Sequence, residues 1–323
     1  MLETDTINCP VMNLHSHYRG RFAPSPTGPL HFGSLVAAVG SYLDARAQGG
    51  QWLVRIEDID TPRVIPGAAD DILRTLERMG MHWDGAVMLQ SQRQEAYRAA
   101  LEQLRHGDWL YPCACTRREI ADSALHGVDG FVYPGRCREG LPDGRTPRAT
   151  RVRVASTAIA FDDAIQGTIS QNLAHDVGDF VVWRADGLFA YQLAVVVDDA
   201  AQGITDIVRG ADLLDSTPRQ IYLQQRLGLP TPRYAHLPVA VNARGEKLSK
   251  QTLARAIDTQ HPAHEIIKAL AFLGQTLPDG LASSTETSNA SVEEAWRWAH
   301  THWDRSRIPR RRTIQAIDET MLR

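Results

Sequence analysis

The sequence predicts an α/β protein with a doubly wound parallel sheet, an inserted α+β subdomain and a short C-terminal helical region. Apolar runs typical of strands alternate with helical periodicity over residues 19–108 and again over 191–250. Between them, over 109–190, short β runs and turns replace this alternation. Helical periodicity dominates 251–323. With 43% apolar residues, the 323-residue chain can bury a substantial core, so we expect one sheet interrupted by an insertion.

The first predicted strand ends at residues 21–23, because two prolines and a Thr-Gly-Pro turn follow it. Residues 1–18 show no periodicity and are expected to form a loose leader. Ligands bind at the carboxyl ends of parallel strands, so Arg21 and Glu57 are candidate site residues. Further strands are expected at 51–57, 204–209 and 234–241, helices at 67–79, 94–104, 216–227, 262–273 and 292–302, and short β runs at 150–155, 180–184 and 188–193.

The segment 21–34, R-F-A-P-S-P-T-G-P-L-H-F-G-S, predicts a phosphate-binding turn. It places His31 at the start of a helix, where backbone N–H groups and the helix dipole attract anions. Gly33 would let a nucleotide lie close to the backbone, and His31 can donate a hydrogen bond to phosphate oxygens. A simpler alternative is a strand–turn–helix corner with a surface histidine. The candidate ATP-binding residues here are Pro24, Ser25, Gly28, His31, Gly33 and Ser34.

A second segment, K-L-S-K at 247–250, follows a polar turn at 242–246. A loop of this kind can bring two ammonium groups onto a triphosphate. Lys247, Ser249 and Lys250 are therefore further candidate ATP-binding residues, and His31, Lys247 and Lys250 are the candidate catalytic residues. The alternative is a charged, solvated loop, which is the common role of such a run.

The two segments resemble the HIGH and KMSKS signatures of the class I aminoacyl-tRNA synthetases, and R-F-A-P-S-P-T-G is similar to the opening of their glutamyl branch. Ser34 departs from the pattern by replacing the second histidine, and Gln251 replaces the last serine. Further similar stretches follow in the same order over about 19–250: V-R-I-E-D-I-D at 54–60, L-Q-S-Q-R at 89–93, V-V-V-D-D at 195–199, G-I-T at 203–205 and V-R-G-A-D-L-L at 208–214.

This resemblance implies a Rossmann-like sheet that activates L-glutamate. The carboxylate of glutamate attacks the α-phosphorus of ATP, Mg²⁺ neutralises the pyrophosphate, and His31, helix N–H groups and Lys250 stabilise the developing charge. Glutamate has two carboxylates and an ammonium group, so its site needs two cationic forks and an anion. The implied glutamate-binding residues are Arg21, Phe22, Ala23, Ser25, Glu57, Tyr191 and Arg209.

Two alternatives remain open in this assignment. The sequence does not decide which arginine meets which carboxylate of glutamate. The acidic and basic residues of 55–60 could also form a surface ion-pair ladder that contributes little to stability or binding.

Three of the cysteines suggest a structural zinc knuckle in the insertion. Cys113 and Cys115 form a C-x-C pair, and Cys137 comes after a turn-rich stretch. Zinc needs a fourth ligand, and His126 is the chemically ordinary choice. The resemblance implies Tyr133 instead, because the similar subgroup has C-x-C followed by Y-x3-C. Three unconnected thiols are the remaining alternative.

The chain has a formal charge of −3, so an RNA would have to meet local basic patches such as the arginines of 305–312. Neither a signal peptide nor a long apolar run is present, and we expect a cytoplasmic monomer. Only 73 residues follow Lys250 (323 − 250), a length expected to exclude the usual anticodon-binding region.

The short paralogues of glutamyl-tRNA synthetase are therefore the most similar subgroup. That similarity implies transfer of glutamate to queuosine in the anticodon of tRNA(Asp), without tRNA being needed for activation. Two alternatives are a small tRNA-charging enzyme that acts on a 3′ end, and a non-catalytic nucleotide- or RNA-binding paralogue.

Overall fold

The computed structural model describes residues 18–121, 126–128, 130–248, 255–279, 281 and 291–316, with only the backbone described at His126. Most of the expected leader, residues 1–17, lies outside this range. The strands are β1 (Arg19–Phe22), β2 (Gln51–Ile56), β3 (Met88–Leu89), β4 (Leu110–Cys113), β5 (His126–Gly127), β6 (Gly130–Phe131), β7 (Ala149–Val152), β8 (Ala158–Asp163), β9 (Gly167–Asn172), β10 (Phe180–Trp183), β11 (Asp206–Gly210), β12 (Arg233–Leu237), β13 (Val239–Val241) and β14 (Thr313–Gln315). The helices are α1 (Phe32–Ala47), α2 (Ala68–Arg78), α3 (Gln94–His106), α4 (Arg117–Ala121), α5 (Leu173–Asp176), α6 (Tyr191–Ala201), α7 (Thr217–Leu227), α8 (Pro262–Phe272) and α9 (Val292–His302).

Parallel strands form the centre of the fold in the order β3-β2-β1-β11-β12. β1 pairs with β2 and β2 with β3, while β11 pairs with β12. β1 lies beside β11, where the Thr205 N–H donates to the Arg19 carbonyl over 3.0 Å. The strand order reverses between β1 and β11, and such a switch point opens a crevice at the carboxyl ends of the strands. The predicted α/β fold class is confirmed.

Hydrophobic cores cover both faces of this sheet. Along β11, Ile207 packs into the core that contains α3, α6 and α7, whereas Val208 packs into the core that contains α1, α8 and α9. Successive side chains of a strand point to opposite faces, so a strand buried on both faces is apolar at consecutive positions. Both cores therefore pack against β11 at the crevice, and the core that contains α1 also includes Phe22 of β1.

The region between α3 and α6 contains two different structures. Antiparallel strands in the order β10-β7-β4, together with the β5-β6 hairpin, form a small subdomain. The β8-β9 hairpin instead extends the central sheet, because Asp163 of β8 pairs with Tyr234 of β12. Part of the predicted insertion therefore supports the central sheet directly.

The β run predicted at 188–193 is wrong. Phe189 makes only an isolated bridge to Trp183, and helix α6 begins at Tyr191. This helix is buried on several sides, including at Leu193, Val195 and Val196. An apolar run that is buried all round has no clear period, so its pattern does not separate helix from strand.

The predicted strand at 234–241 is divided into β12 and β13 at Pro238, which has no N–H to donate to a ladder. The C-terminal region also contains a strand as well as helices: β14 pairs in parallel with β13. Of the arginines at 305–312, Arg305 pairs with Asp44 and Arg312 with Asp215. Within the described parts of the chain, no helix has the length and apolar character needed to cross a bilayer.

Candidate active site

A cavity of about 580 Å³ opens at the switch point, at the carboxyl ends of β2, β1 and β11. All seven residues predicted to bind glutamate line it, namely Arg21, Phe22, Ala23, Ser25, Glu57, Tyr191 and Arg209. Of the predicted nucleotide-binding residues, Pro24, Ser25, His31, Gly33, Ser34 and Lys247 line the same cavity. The two sequence segments, more than 200 residues apart, therefore meet in one space.

Gly28 is not among the lining residues, and Ser249 and Lys250 lie outside the described residues. Gly28 has a φ of 135°, a backbone conformation that favours glycine. This geometry shows Gly28 shaping the turn between β1 and α1. Its predicted contact with ATP stays a prediction, as do those of Ser249 and Lys250.

A network of buried charged side chains links the ends of β1 and β2 to helix α6 at one end of the cavity. The Asp199 carboxylate on α6 accepts from Arg21 Nε at 3.1 Å and from Arg55 Nη1 at 2.8 Å. Arg55 Nη2 in turn donates to Glu57 Oε1 over 3.2 Å. Arg55 is fully buried, so a surface ion-pair ladder at this position is wrong. The chain of contacts fixes a cation, Arg21, and an anion, Glu57, at neighbouring strand ends.

Burial and the neighbouring charges shift the pKa values of the Glu57 and Asp199 carboxyl groups in opposite directions. Desolvation raises the pKa of Glu57, although Arg55 and Arg21 partly offset it. For Asp199 desolvation also acts upward, but Arg21 and Arg55 together outweigh it and lower the pKa. Burial raises the pKa of the Tyr191 phenol to about 12, so its hydroxyl stays a neutral donor. An ammonium group next to Glu57 would restore the favourable charge balance of that carboxylate.

Arg209 lines the cavity, and two of its three guanidinium nitrogens are hydrogen-bonded within the protein. Its Nε donates to His236 Nε2 at 3.0 Å, and its Nη2 donates to Thr217 Oγ1 at 2.8 Å. Its Nη1 is buried and has no hydrogen-bond partner among the described residues. A donor left in this state is costly unless a ligand satisfies it. The arrangement is suited to binding an anion such as a carboxylate.

The other end of the cavity is formed by the start of α1. His31 is the N-cap residue, and its Nδ1 accepts from the Ser34 N–H at 3.3 Å, which places the ring proton on Nε2, 3.2 Å from Ser34 Oγ. A Cβ on Gly33 would lie 3.3 Å from the His31 ring, so glycine fits this tight turn. The N–H groups of the first helical turn and the dipole favour a phosphate here.

Described residues within K-L-S-K and after it lie against this turn. The Leu248 carbonyl lies 3.5 Å from the position of a Cβ on Gly33, and the Ile257 N–H donates to the Leu30 carbonyl at 3.0 Å. Lys247 forms an ion pair with Asp212, another cavity residue. The structure therefore places Lys247 in the same cavity as the turn at the start of α1, with its ammonium group on Asp212.

Several residues of the site were not identified from the sequence. Asp199, Arg55 and Asp212 lie in stretches that match the family pattern. Because Asp199 and Asp212 are carboxylates in largely apolar stretches, they could have been predicted as partners of the cationic site residues. His236 and Asp163 stand outside every motif. Their role depends on a contact between residues 73 apart, which no local pattern encodes.

The thiols predicted to bind zinc come together in the small subdomain. The Sγ atoms of Cys113, Cys115 and Cys137 all lie within 4.8 Å of one another. Tyr133 Oη is 3.4 Å from Cys113 Sγ and 3.7 Å from Cys115 Sγ. Four ligands around a tetrahedral zinc at about 2.3 Å would be roughly 3.8 Å apart, so this donor set fits the ion. His126 cannot be compared, since its side chain is outside the described part.

A doubly wound sheet whose crevice brings together a helix N-terminus, a lysine loop and two arginines is the architecture of an ATP-dependent enzyme that acts on a carboxylate. A model of the family described as class I tRNA synthetases (E and Q), catalytic domain, matches residues 17–282. The chain therefore belongs to this family, as its two signature segments predicted.

The names of individual relatives identify a narrower group than the family model does. A glutamyl-Q tRNA(Asp) synthetase of Dechloromonas aromatica is 61% identical over 303 residues, which cover 93% of this chain and 99% of the relative. Another, from Aromatoleum aromaticum, is 62% identical and covers 93% of both chains. The crystal structure of a glutamate-tRNA synthetase from Elizabethkingia anophelis is similar with a TM-score of 0.75 at 26% identity, covering 95% of this chain and 69% of that one.

Proposed function

We propose that the chain activates L-glutamate with ATP and transfers the glutamyl group to queuosine in the anticodon of tRNA(Asp). The observation that carries the activation step is the cavity that Arg21, Glu57 and Arg209 share with His31 and Lys247. The names of the relatives, which cover nearly the whole chain, support the RNA substrate. We further propose the cytoplasm as its location.

In this mechanism, Arg21 and Arg209 bind the two carboxylates of glutamate, and Glu57 accepts from its ammonium group. The fixed donors orient one carboxylate toward the α-phosphorus of ATP, so that binding replaces a bimolecular encounter. His31 Nε2–H, the N–H groups at the start of α1 and the lysines of K-L-S-K stabilise the charge that develops on the phosphates. Mg²⁺ bound with ATP would neutralise the departing pyrophosphate.

A structural zinc ion is part of the proposal. Cys113, Cys115, Cys137 and Tyr133 would hold it, and the ion would stabilise the fold of the small subdomain. Arg151 supports this assignment, because its Nε donates to Cys113 Sγ at 3.3 Å and its guanidinium lies 3.8 Å from the centre of the Tyr133 ring. A fixed cation at this position compensates for the negative charge of three thiolates.

The activation step is tested by ATP–pyrophosphate exchange in the absence of RNA. Exchange should require L-glutamate, and neither L-aspartate nor L-glutamine should replace it. The Glu57→Gln variant should lose glutamate-dependent exchange, whereas Glu95→Gln is the matched control, because Glu95 is 92% exposed on α3. Absence of glutamate-dependent exchange in the wild type would disprove the proposal.

The RNA substrate is tested separately with labelled glutamate and total tRNA from cells with and without queuosine. We expect label only on queuosine-containing tRNA, and we expect it to survive removal of the 3′-terminal adenosine. Label that leaves with that adenosine would identify a tRNA-charging enzyme instead.

A further inference from the structure

Two buried residues outside the cavity lie directly behind Arg209. His236 on β12 is fully buried, and its Nε2 is 3.0 Å from Arg209 Nε. The other ring nitrogen, Nδ1, is 2.6 Å from Asp163 Oδ2 at the end of β8. These contacts form a continuous line from the β8-β9 hairpin through β12 to β11, and Arg209 is at its cavity end.

The hydrogen bonds of Asp163 define which ring nitrogen of His236 carries the proton. Asp163 Oδ1 accepts from the backbone N–H groups of Ile165, Gln166 and His236 at 3.0, 2.8 and 3.1 Å. Its Oδ2 accepts from the ring, so the proton of the neutral imidazole lies on Nδ1. The lone pair of Nε2 then accepts from the Arg209 Nε–H at 3.0 Å, and Thr217 Oγ1, which also contacts Arg209, lies 3.2 Å from the same nitrogen.

This acceptor determines the orientation of the Arg209 guanidinium. With Nε bound to His236 and Nη2 bound to Thr217, the plane of the guanidinium is fixed. The remaining donor group, Nη1, is the one that lacks a partner among the described residues. Without a neutral acceptor at His236, Arg209 would have to turn to satisfy its Nε–H, and Nη1 would move with it.

We propose that Asp163 and His236 are positioning residues, which orient Arg209 for a carboxylate of the substrate by holding the imidazole in one tautomer. The inference rests on the proposed function only in naming glutamate as that substrate. It assigns a role in substrate binding to a hairpin that contributes no residue to the cavity wall.

The Asp163→Asn variant tests the tautomer directly. Three backbone N–H groups keep an oxygen at the Oδ1 position, so the amide nitrogen must take the place of Oδ2 and donate to His236 Nδ1. The ring proton then moves to Nε2, where it faces the Nε–H of Arg209, and two donors oppose each other. The KM for glutamate should rise roughly 10- to 100-fold, the usual effect of losing a hydrogen bond to a charged group. The KM for ATP should stay within about twofold.

A pair of substitutions at His236 provides a second test that does not depend on Asp163. Glutamine reaches the position of Nε2, and its oxygen can accept from Arg209, so His236→Gln should keep the KM for glutamate within about threefold of the wild type. Asparagine reaches only the position of Nδ1 and leaves Arg209 without its acceptor. His236→Asn should therefore match the Asp163→Asn variant.

A merely structural role would give a different result. If the pair only attaches the hairpin to β12, all three variants should unfold at lower urea concentrations, yet their KM values for glutamate should not differ from one another. That outcome, or an unchanged KM in both Asp163→Asn and His236→Asn, would refute the proposal. Failure of glutamate-dependent exchange in the wild type would instead refute the proposed function, so the two failures are distinguishable.

Discussion

Substitution of Asp199 should reveal how much the buried charge network contributes to stability and binding. Its side chain is 3% exposed, and those of its partners Arg21 and Arg55 are 4% and 0% exposed. Removing one member of such a buried ion pair costs about 3–5 kcal/mol, because it leaves the other charges uncompensated. Domains are stable by only about 5–15 kcal/mol, so Asp199→Ala should lose a large part of its free energy of unfolding.

The Asp199→Asn variant separates the charge from the hydrogen bonds. Asp199 Oδ1 accepts from both arginines, and an asparagine oxygen can take the same place. Arg55 also keeps its contacts with Glu57 and Gln202. We therefore expect Asp199→Asn to be less destabilised than Asp199→Ala, while both raise the KM for glutamate because Arg21 is held less firmly.

Urea unfolding followed by far-ultraviolet circular dichroism gives the free energies, and pyrophosphate exchange gives the KM values. Glu95→Gln is the matched loss of a carboxylate charge, from an exposed pair with Arg98 on α3. It should unfold like the wild type, since exposed ion pairs contribute little. If Asp199→Ala unfolds at the same urea concentration as Glu95→Gln, the network does not stabilise the fold and the reasoning is wrong.

Three further predictions concern protons, metal and phosphate. Burial lowers the pKa of His236 to about 4 from 6.5, despite the opposing effect of Asp163, so the unfolded chain binds a proton that the folded chain excludes. The stability that comes from excluding this proton is present above pH 6.5 and is lost as the pH falls toward 4. In urea unfolding between pH 4.5 and 7.5, the free energy of unfolding of His236→Gln should therefore fall less steeply with decreasing pH than that of the wild type. Tyr133→Phe should bind zinc more weakly in competition with a chromophoric chelator, and an unchanged affinity would exclude the phenol as a ligand. Lys247→Met should lower kcat for exchange roughly 100-fold with little change in the KM for glutamate, because the proposed role of its ammonium group is to stabilise the phosphate charge that develops in the transition state. A change confined to KM would contradict this role.

The cavity was predictable from the sequence because its residues follow strand ends and helix starts. The turn at 24–29 and the helical period beginning at Leu35 place His31 at a helix N-terminus, which the structure shows. Arg21, Glu57 and Arg209 follow from the parallel order of their strands, since parallel strands present their carboxyl ends at one edge. These features depend on local chemistry and on a single topological rule.

The support behind the cavity was not predictable in the same way. Asp163 lies in a stretch that reads as part of an insertion, yet β8 joins the central sheet through one residue pair with β12. Helix α6, which contributes Tyr191 and Asp199, was partly read as a β run because its apolar residues are buried on more than one side. Both features are decided by tertiary packing, and a local pattern carries no information about it.

Among the described residues, four cationic side chains line the cavity, namely Arg21, Arg63, Arg209 and Lys247, and all except Arg209 form an ion pair with a carboxylate of the protein. Arg21 is balanced through Asp199, and Lys247 is balanced by Asp212. Arg209 contacts the His236 imidazole, whose other ring nitrogen is bound to the Asp163 carboxylate. Asp199 and Asp163 are not among the residues that line the cavity, so the carboxylates that support Arg21 and His236 lie outside its wall. If Arg21 and Arg209 bind the two carboxylates of glutamate as proposed, substitutions of Asp199 and Asp163 should lower the affinity for glutamate although neither residue lines the cavity.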